Sequence, residues 1–284
     1  MKKIKIILVL ICILFIGSAC NNEKSDGLKV LTTTYPIGFL TEQIYGDGLI
    51  LSIYPDGADV ENYSLTSKQI KQYSKNDIFI YNGRSNEQDV AKDLINSNRK
   101  LYIIDVAYGL KYENGVEELW LSPNYYLMLA KTIKDNFQDF VSTKYAKDEL
   151  EKKYNELAEK LSVMDAELRT VAKSANDIGK GTIVASSNMF KYLNNYGFKV
   201  ISLEDEINTN SIKSNFQNKT YTTIFMKDTD EKTDLIKDLE KSGAKIITVN
   251  TMKTLTSEEK ESNETYFTIM NEYMENIKNA TLGD

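Results

Sequence analysis

Residues 144–173 read KYAKDELEKKYNELAEKLSVMDAELRTVAK. Leu150, Tyr154, Leu157, Leu161, Met164 and Leu168 recur at threes and fours, the spacing of a single helix face. The other positions are mostly charged. At 1.5 Å per residue this stretch spans about 45 Å, longer than a small domain is wide. The apolar stripe is short and interrupted by Asp and Asn, which favours a strut within one chain over a coiled-coil pair. The fold then depends on what the strut joins.

Both flanks alternate short apolar runs with helical spacing, the pattern of an α/β sheet. On the N-terminal side strands are expected over 29–34, 49–54, 77–81 and 100–104, with helices over 36–45, 66–73 and 86–97. Ser122-Pro123 marks a helix start, a capping hydroxyl followed by a first-turn proline, and that helix should run to about Phe140. On the C-terminal side strands are expected over 182–185, 199–203, 222–226 and 245–249. Helices should follow over 189–196, 230–242 and 257–280. The expected architecture is therefore α/β, with two pseudo-symmetric α/β lobes joined by a long rigid helix and a ligand cleft between the lobes. Its parts are an N-terminal lobe at 29–141, the linking helix at 142–178 and a C-terminal lobe at 179–284.

Residues 1–20 read as a signal peptide. Lys2, Lys3 and Lys5 precede an apolar core from Ile6 to Ile16, and Gly17-Ser18-Ala19 stand before Cys20. The core is too short to favour a permanent span of about 20 residues. Small residues before a cysteine, then the polar run 21–28, resemble a bacterial lipoprotein signal with a flexible tether. Cys20 is then the lipidation site, and Gly17 departs from the usual Leu. The other cysteine, Cys12, lies in the leader, so the domain beyond holds no disulfide, no cysteine–zinc cluster and no thiol chemistry. The 284 residues include no histidine. That excludes Ser-His and Cys-His nucleophile pairs, the H-E-x-x-H zinc helix and imidazole-based zinc sites. The net charge of −6 argues against a nucleic-acid surface.

Ligands of α/β sheets collect beyond the carboxyl ends of the strands. Four loops stand there: 56–63 (DGADVENY), 116–123 (VEELWLSP), 186–188 (SSN) and 249–251 (VNT). With Asp77 to Gly83 (DIFIYNG), Trp120-Leu121-Ser122-Pro123, and Ser187 followed by Phe190-Lys191-Tyr192, the chain resembles the metal-binding lipoproteins of bacterial zinc and manganese ABC importers. The resemblance covers nearly the whole chain beyond the leader. It implies a receptor that takes up a divalent metal ion as transported ligand, uses no organic cofactor and passes its cargo to an ABC-importer permease. It further implies a monomer, lipid-anchored on the extracytoplasmic side of the cell membrane. The family's ligand positions fall on Glu61, Glu118, Ser187 and, in a loose register, Asn250, with Asp228 as the alternative. In each, the residue differs from the family's usual ligand.

Glu61, Glu118, Ser187 and Asn250 form an all-oxygen set with two charges, suited to Mn²⁺, Ca²⁺ or Mg²⁺ more than to Zn²⁺. Glu117 or Asp59 would add a third carboxylate. Against this stand the ordinary roles of these residues: solvated loop acids, a helix cap at Ser187 and turn chemistry at Asn250. Trp120, the sole tryptophan, reads as core, and Tyr63 as packing among eighteen tyrosines. Arg84 offers a guanidinium for a carboxylate, with a plain surface role as its alternative. The expected function is metal capture for a permease, with no enzyme activity. The alternatives are a surface adhesion or interaction lipoprotein whose metal site has degenerated, and a receptor for a non-metal solute.

Overall fold

The computed structural model describes residues 27–54, 63–83, 87–205 and 207–283. The expected leader, Cys20, Asp59, Glu61 and Arg84 lie outside them. The first lobe runs β1 (Leu28–Thr33), α1 (Tyr35–Tyr45), β2 (Leu49–Tyr54), α2 (Ser67–Tyr73), β3 (Ile78–Tyr81), α3 (Glu87–Ser97) and β4 (Tyr102–Asp105). Two helices then lead to the strut, α4 (Glu118–Leu121) and α5 (Pro123–Phe137). The strut itself, α6, covers Lys144–Asp177. The second lobe holds β5 (Thr182–Ala185), a 3₁₀ segment (Asn188–Tyr196), β6 (Lys199–Ser202), α7 (Thr209–Gln217) and β7 (Thr223–Lys227). It continues with α8 (Asp234–Lys241), β8 (Lys245–Val249), α9 (Ser257–Glu261) and α10 (Tyr266–Leu282).

The two sheets share one permutation, β2-β1-β3-β4 and β6-β5-β7-β8, and every described pairing is parallel. Val30 lies between Leu51 and Ile78, and Val184 between Ile201 and Ile224. The central strands are apolar because helices cover both of their faces: all four residues of β3 are buried. Identical strand order makes the lobes pseudo-symmetric.

One hydrophobic core passes through both lobes, from Val30 and Ile78 through Trp120, Leu161 and Leu168 to Ile183, Phe225 and Tyr266. Helix α6 packs on α1 and α5 in the first lobe, and on α10 and the 3₁₀ segment in the second. Its buried residues include the predicted Leu150, Leu157, Leu161, Met164 and Leu168, followed by Val171, Ala172 and Ala175. Its 34 residues extend beyond the Leu150–Leu168 stripe, where the small Ala172 and Ala175 continue the buried face. Smaller clusters sit under α2 and α3 in the first lobe and under α7 and α8 in the second.

Four local expectations change, the first being that the expected loop 116–123 contains the short helix α4. Ser122 holds the N-cap position before Pro123, but its hydroxyl makes no cap; it hydrogen-bonds the Tyr196 hydroxyl at 2.8 Å. The stretch 257–280 is two helices, since Thr265 and Thr268 build a second capping box and Asn263 turns the chain at φ 57°. Helix α7 was not expected; its amphipathic signal is two buried residues, Ile212 and Phe216, in a polar stretch.

Candidate functional site

The facing loops are fastened to one another. Segment 250–253 leaves β8 and runs against the first lobe. The Thr251 carbonyl accepts the Trp120 indole N–H at 2.8 Å, and the Lys253 carbonyl accepts the Tyr35 amide at 3.1 Å. The turn requires Met252 at φ 56°, and Tyr35 follows Thr34 at φ 55°. Neither is glycine, so both carry backbone strain that the contacts between the lobes hold in place. Tyr266 adds a hydroxyl donated to the Trp120 carbonyl at 2.8 Å.

Glu118 begins α4 and is 2 % exposed. Its Oε2 accepts the amides of Glu113 (3.3 Å) and Asn114 (3.1 Å) and the Asn114 side-chain Nδ2 (3.1 Å). This cradle fixes the carboxylate and shapes the loop ahead of it. Glu117, one residue earlier, is also buried and faces across the seam, where its Oε1 meets the Lys253 ammonium at 3.2 Å. The chain folds closely over this carboxylate at Gly115. Its φ is 109°, and a Cβ there would stand 3.0 Å from Glu117 Oε2 and 3.8 Å from Met189 Cγ.

In the second lobe Ser187 follows β5 and is 3 % exposed. It precedes the 3₁₀ segment without capping it, and its Oγ has no hydrogen-bond partner. The neighbouring Ser186 hydroxyl donates to Asp230 Oδ2 at 3.1 Å. The Asn188 amide donates to Glu204 Oε2 at 2.6 Å, while the Asn188 Oδ1 is buried without a partner. Asn250 accepts the Met252 amide at 2.8 Å and donates to Glu259. Asp228, the alternative, accepts the Thr251 hydroxyl at 2.7 Å. Both therefore help to shape the 250–253 turn.

Among the described residues, no three Asp, Glu, His or Cys side chains gather in a group that could hold a metal ion. Glu61 lies outside that set. Ser187 and Asn188 supply buried oxygens without partners, while Glu118 and Asn250 are engaged with their own loops. Tyr63 is packing, with its ring 5.8 Å from that of Tyr54 and its hydroxyl accepting Gln69 Nε2 at 2.8 Å. A cavity of about 290 Å³ lined by Lys180, Lys219 and Tyr221 borders Thr182 and Thr223, at the amino ends of β5 and β7. That is the end of the sheet where α/β ligands do not collect. The residue that sequence reasoning missed is Lys253. Nothing near it in the chain announces Glu117 as its partner.

Residues 30–280 match the family described as zinc-uptake complex component A, periplasmic (ZnuA). The chain belongs to that family. The zinc-binding lipoprotein AdcA of Streptococcus pneumoniae is 24% identical over 312 residues, covering 99% of this chain and 61% of AdcA. The chain thus spans about three-fifths of that relative's length. The manganese ABC transporter substrate-binding lipoprotein PsaA of Streptococcus pneumoniae is 33% identical over 217 residues, covering 68% of each chain. The metal-dependent lipoprotein YcdH of Bacillus subtilis shares the fold with a TM-score of 0.75 at 23% identity, covering 90% of this chain and 99% of YcdH. These relatives are named for metal binding and transport, and none for an enzyme activity. No helix among the described residues is long and apolar enough to cross a membrane.

Proposed function

We propose that this member of the ZnuA family is the extracytoplasmic solute-binding lipoprotein of a metal-ion ABC importer. In this reading Cys20 carries the lipid anchor at the cell membrane, and the cleft captures a divalent cation for the permease. The observation that carries it is the match over residues 30–280 together with the two-lobe fold of the metal-dependent YcdH. Glu61, Glu118, Ser187 and Asn250 are the proposed ligands. A chain without histidine offers only oxygen donors there, which supports Mn²⁺ or another hard ion over Zn²⁺. Rigidity supports small closure on binding, since one core and several hydrogen bonds already span the seam.

A second reading, a surface interaction lipoprotein without a working metal site, draws support from the lack of any three-carboxylate group among the described residues. Isothermal titration of the purified chain with Mn²⁺, Zn²⁺ and Ca²⁺ separates the two. The receptor reading expects one-to-one binding, strongest for Mn²⁺ or Ca²⁺, and weakened by roughly tenfold or more in Glu118→Gln, because ligand charge tunes cation affinity. No heat with any of the three ions overturns it for the native chain.

A further inference from the structure

The Glu117–Lys253 pair joins the loop that carries Glu118 to the loop that carries Asn250. Glu117 is the neighbour of Glu118. A Cβ on Gly115, 3.0 Å from the Glu117 carboxylate, would stand 3.8 Å from the side chain of Met189, two residues beyond Ser187. Lys253 is three residues beyond Asn250 and crosses from the second lobe to reach the first. The side chain of Glu117 is 7 % exposed and that of Lys253 is 23 % exposed, so the pair is far from a solvated surface contact. The backbone of the lysine is held as well, because its carbonyl accepts the Tyr35 amide and its neighbour Thr251 accepts the Trp120 indole. Two buried oxygens without partners, Ser187 Oγ and Asn188 Oδ1, sit at the start of the segment that packs against α4.

We propose that the Lys253 ammonium is the resident cation of the cleft between the lobes, an internal competitor that a captured metal ion must displace from Glu117. The inference rests on the receptor reading and adds a regulatory element to the same site. A buried carboxylate must be paired or hydrogen-bonded, and for Glu117 the chain supplies a cation of its own. An ammonium has three donors and one charge on a flexible stem, so it can swing aside without refolding the loop. A divalent ion brings twice the charge to the same oxygens. If Lys253 occupies the position in nine molecules of ten, apparent metal affinity falls roughly tenfold below the intrinsic value.

Mn²⁺ titration of the full chain, Lys253→Met and the double variant Lys253→Met/Glu117→Gln tests this, with Lys253→Gln as the second single variant. The neutral double variant leaves no buried charge unpaired, so it provides the folded reference, checked by circular dichroism. The expected result is that the single variants bind Mn²⁺ about tenfold more tightly than the native chain, that the double variant loses this gain, and that Mn²⁺ raises the Tm of Lys253→Met more than that of the native chain. Native and single-variant chains that bind Mn²⁺ equally overturn the displacement proposal while leaving the receptor reading standing. A native chain that does not bind, beside a Lys253→Met that does, supports the proposal and shows that the lysine has replaced the cargo. Binding by none of the chains overturns both.

Discussion

At Ser187 a hydroxyl is buried without a hydrogen-bond partner. A buried polar group left in this way costs about 1–3 kcal/mol, which ordinary packing gives no reason to keep. The position also forgoes a ready use, for it precedes the 3₁₀ segment and its side chain caps nothing. An oxygen held back from both water and backbone is what a cation ligand requires before its ion arrives. Ser187→Ala is therefore expected to leave stability in the absence of metal unchanged, or to raise it by up to about 1 kcal/mol, while weakening Mn²⁺ binding. Urea unfolding with and without Mn²⁺ reads both quantities. A loss of stability with unchanged affinity would assign the hydroxyl to the fold.

Helix α6 shows the same economy over 34 residues. Leu161 lies at its middle, fully buried in the core that passes through both lobes. Leu161→Ala is expected to cost about 3 kcal/mol and to do so in a single transition, because the cavity lies in a core that both lobes share. Differential scanning calorimetry would show two separated transitions if the lobes instead melted independently. The strut was legible because its stripe repeats for many turns, and the eight strands because short runs rich in Val, Ile and Leu recur between helical stretches. Helix α7 was hidden because two apolar residues do not make a period, and the break at Asn263 because a capping box of two threonines interrupts no hydrophobic pattern. At the site, sequence led to Glu118, Ser187 and Asn250 as positions in loops. It could not lead to Lys253, whose partner Glu117 is far away in the chain and is reached only by folding one lobe against the other.

The lobes meet across tyrosines. Tyr196 of the second lobe hydrogen-bonds Ser122 of the first, while Tyr192 donates to Tyr273 at 3.1 Å within the second lobe and Tyr126 donates to the Pro36 carbonyl at 2.7 Å within the first. The Tyr126 and Tyr266 rings stack with centroids 4.1 Å apart. Burial pushes the phenols of Tyr35 and Tyr196 up to about 12 and raises those of Tyr126, Tyr192 and Tyr266 well above their ordinary value. In the unfolded chain these groups titrate near pH 10. Above that pH the unfolded state gives up protons that the folded state keeps, so stability is complete below about pH 10 and falls as pH rises toward 12. The groups lie in one seam and one core, so losing them should separate the lobes and melt the sheets together. The chain is expected to unfold cooperatively between about pH 10 and 12, with the buried tyrosines' share of the absorbance at 295 nm and the helical signal at 222 nm changing in step. Raising the pH in small increments on one sample records both. Full ionisation of the tyrosines near pH 10 with the helical signal intact would mean that the seam opens to solvent without unfolding, and that the lobes are hinged rather than fused.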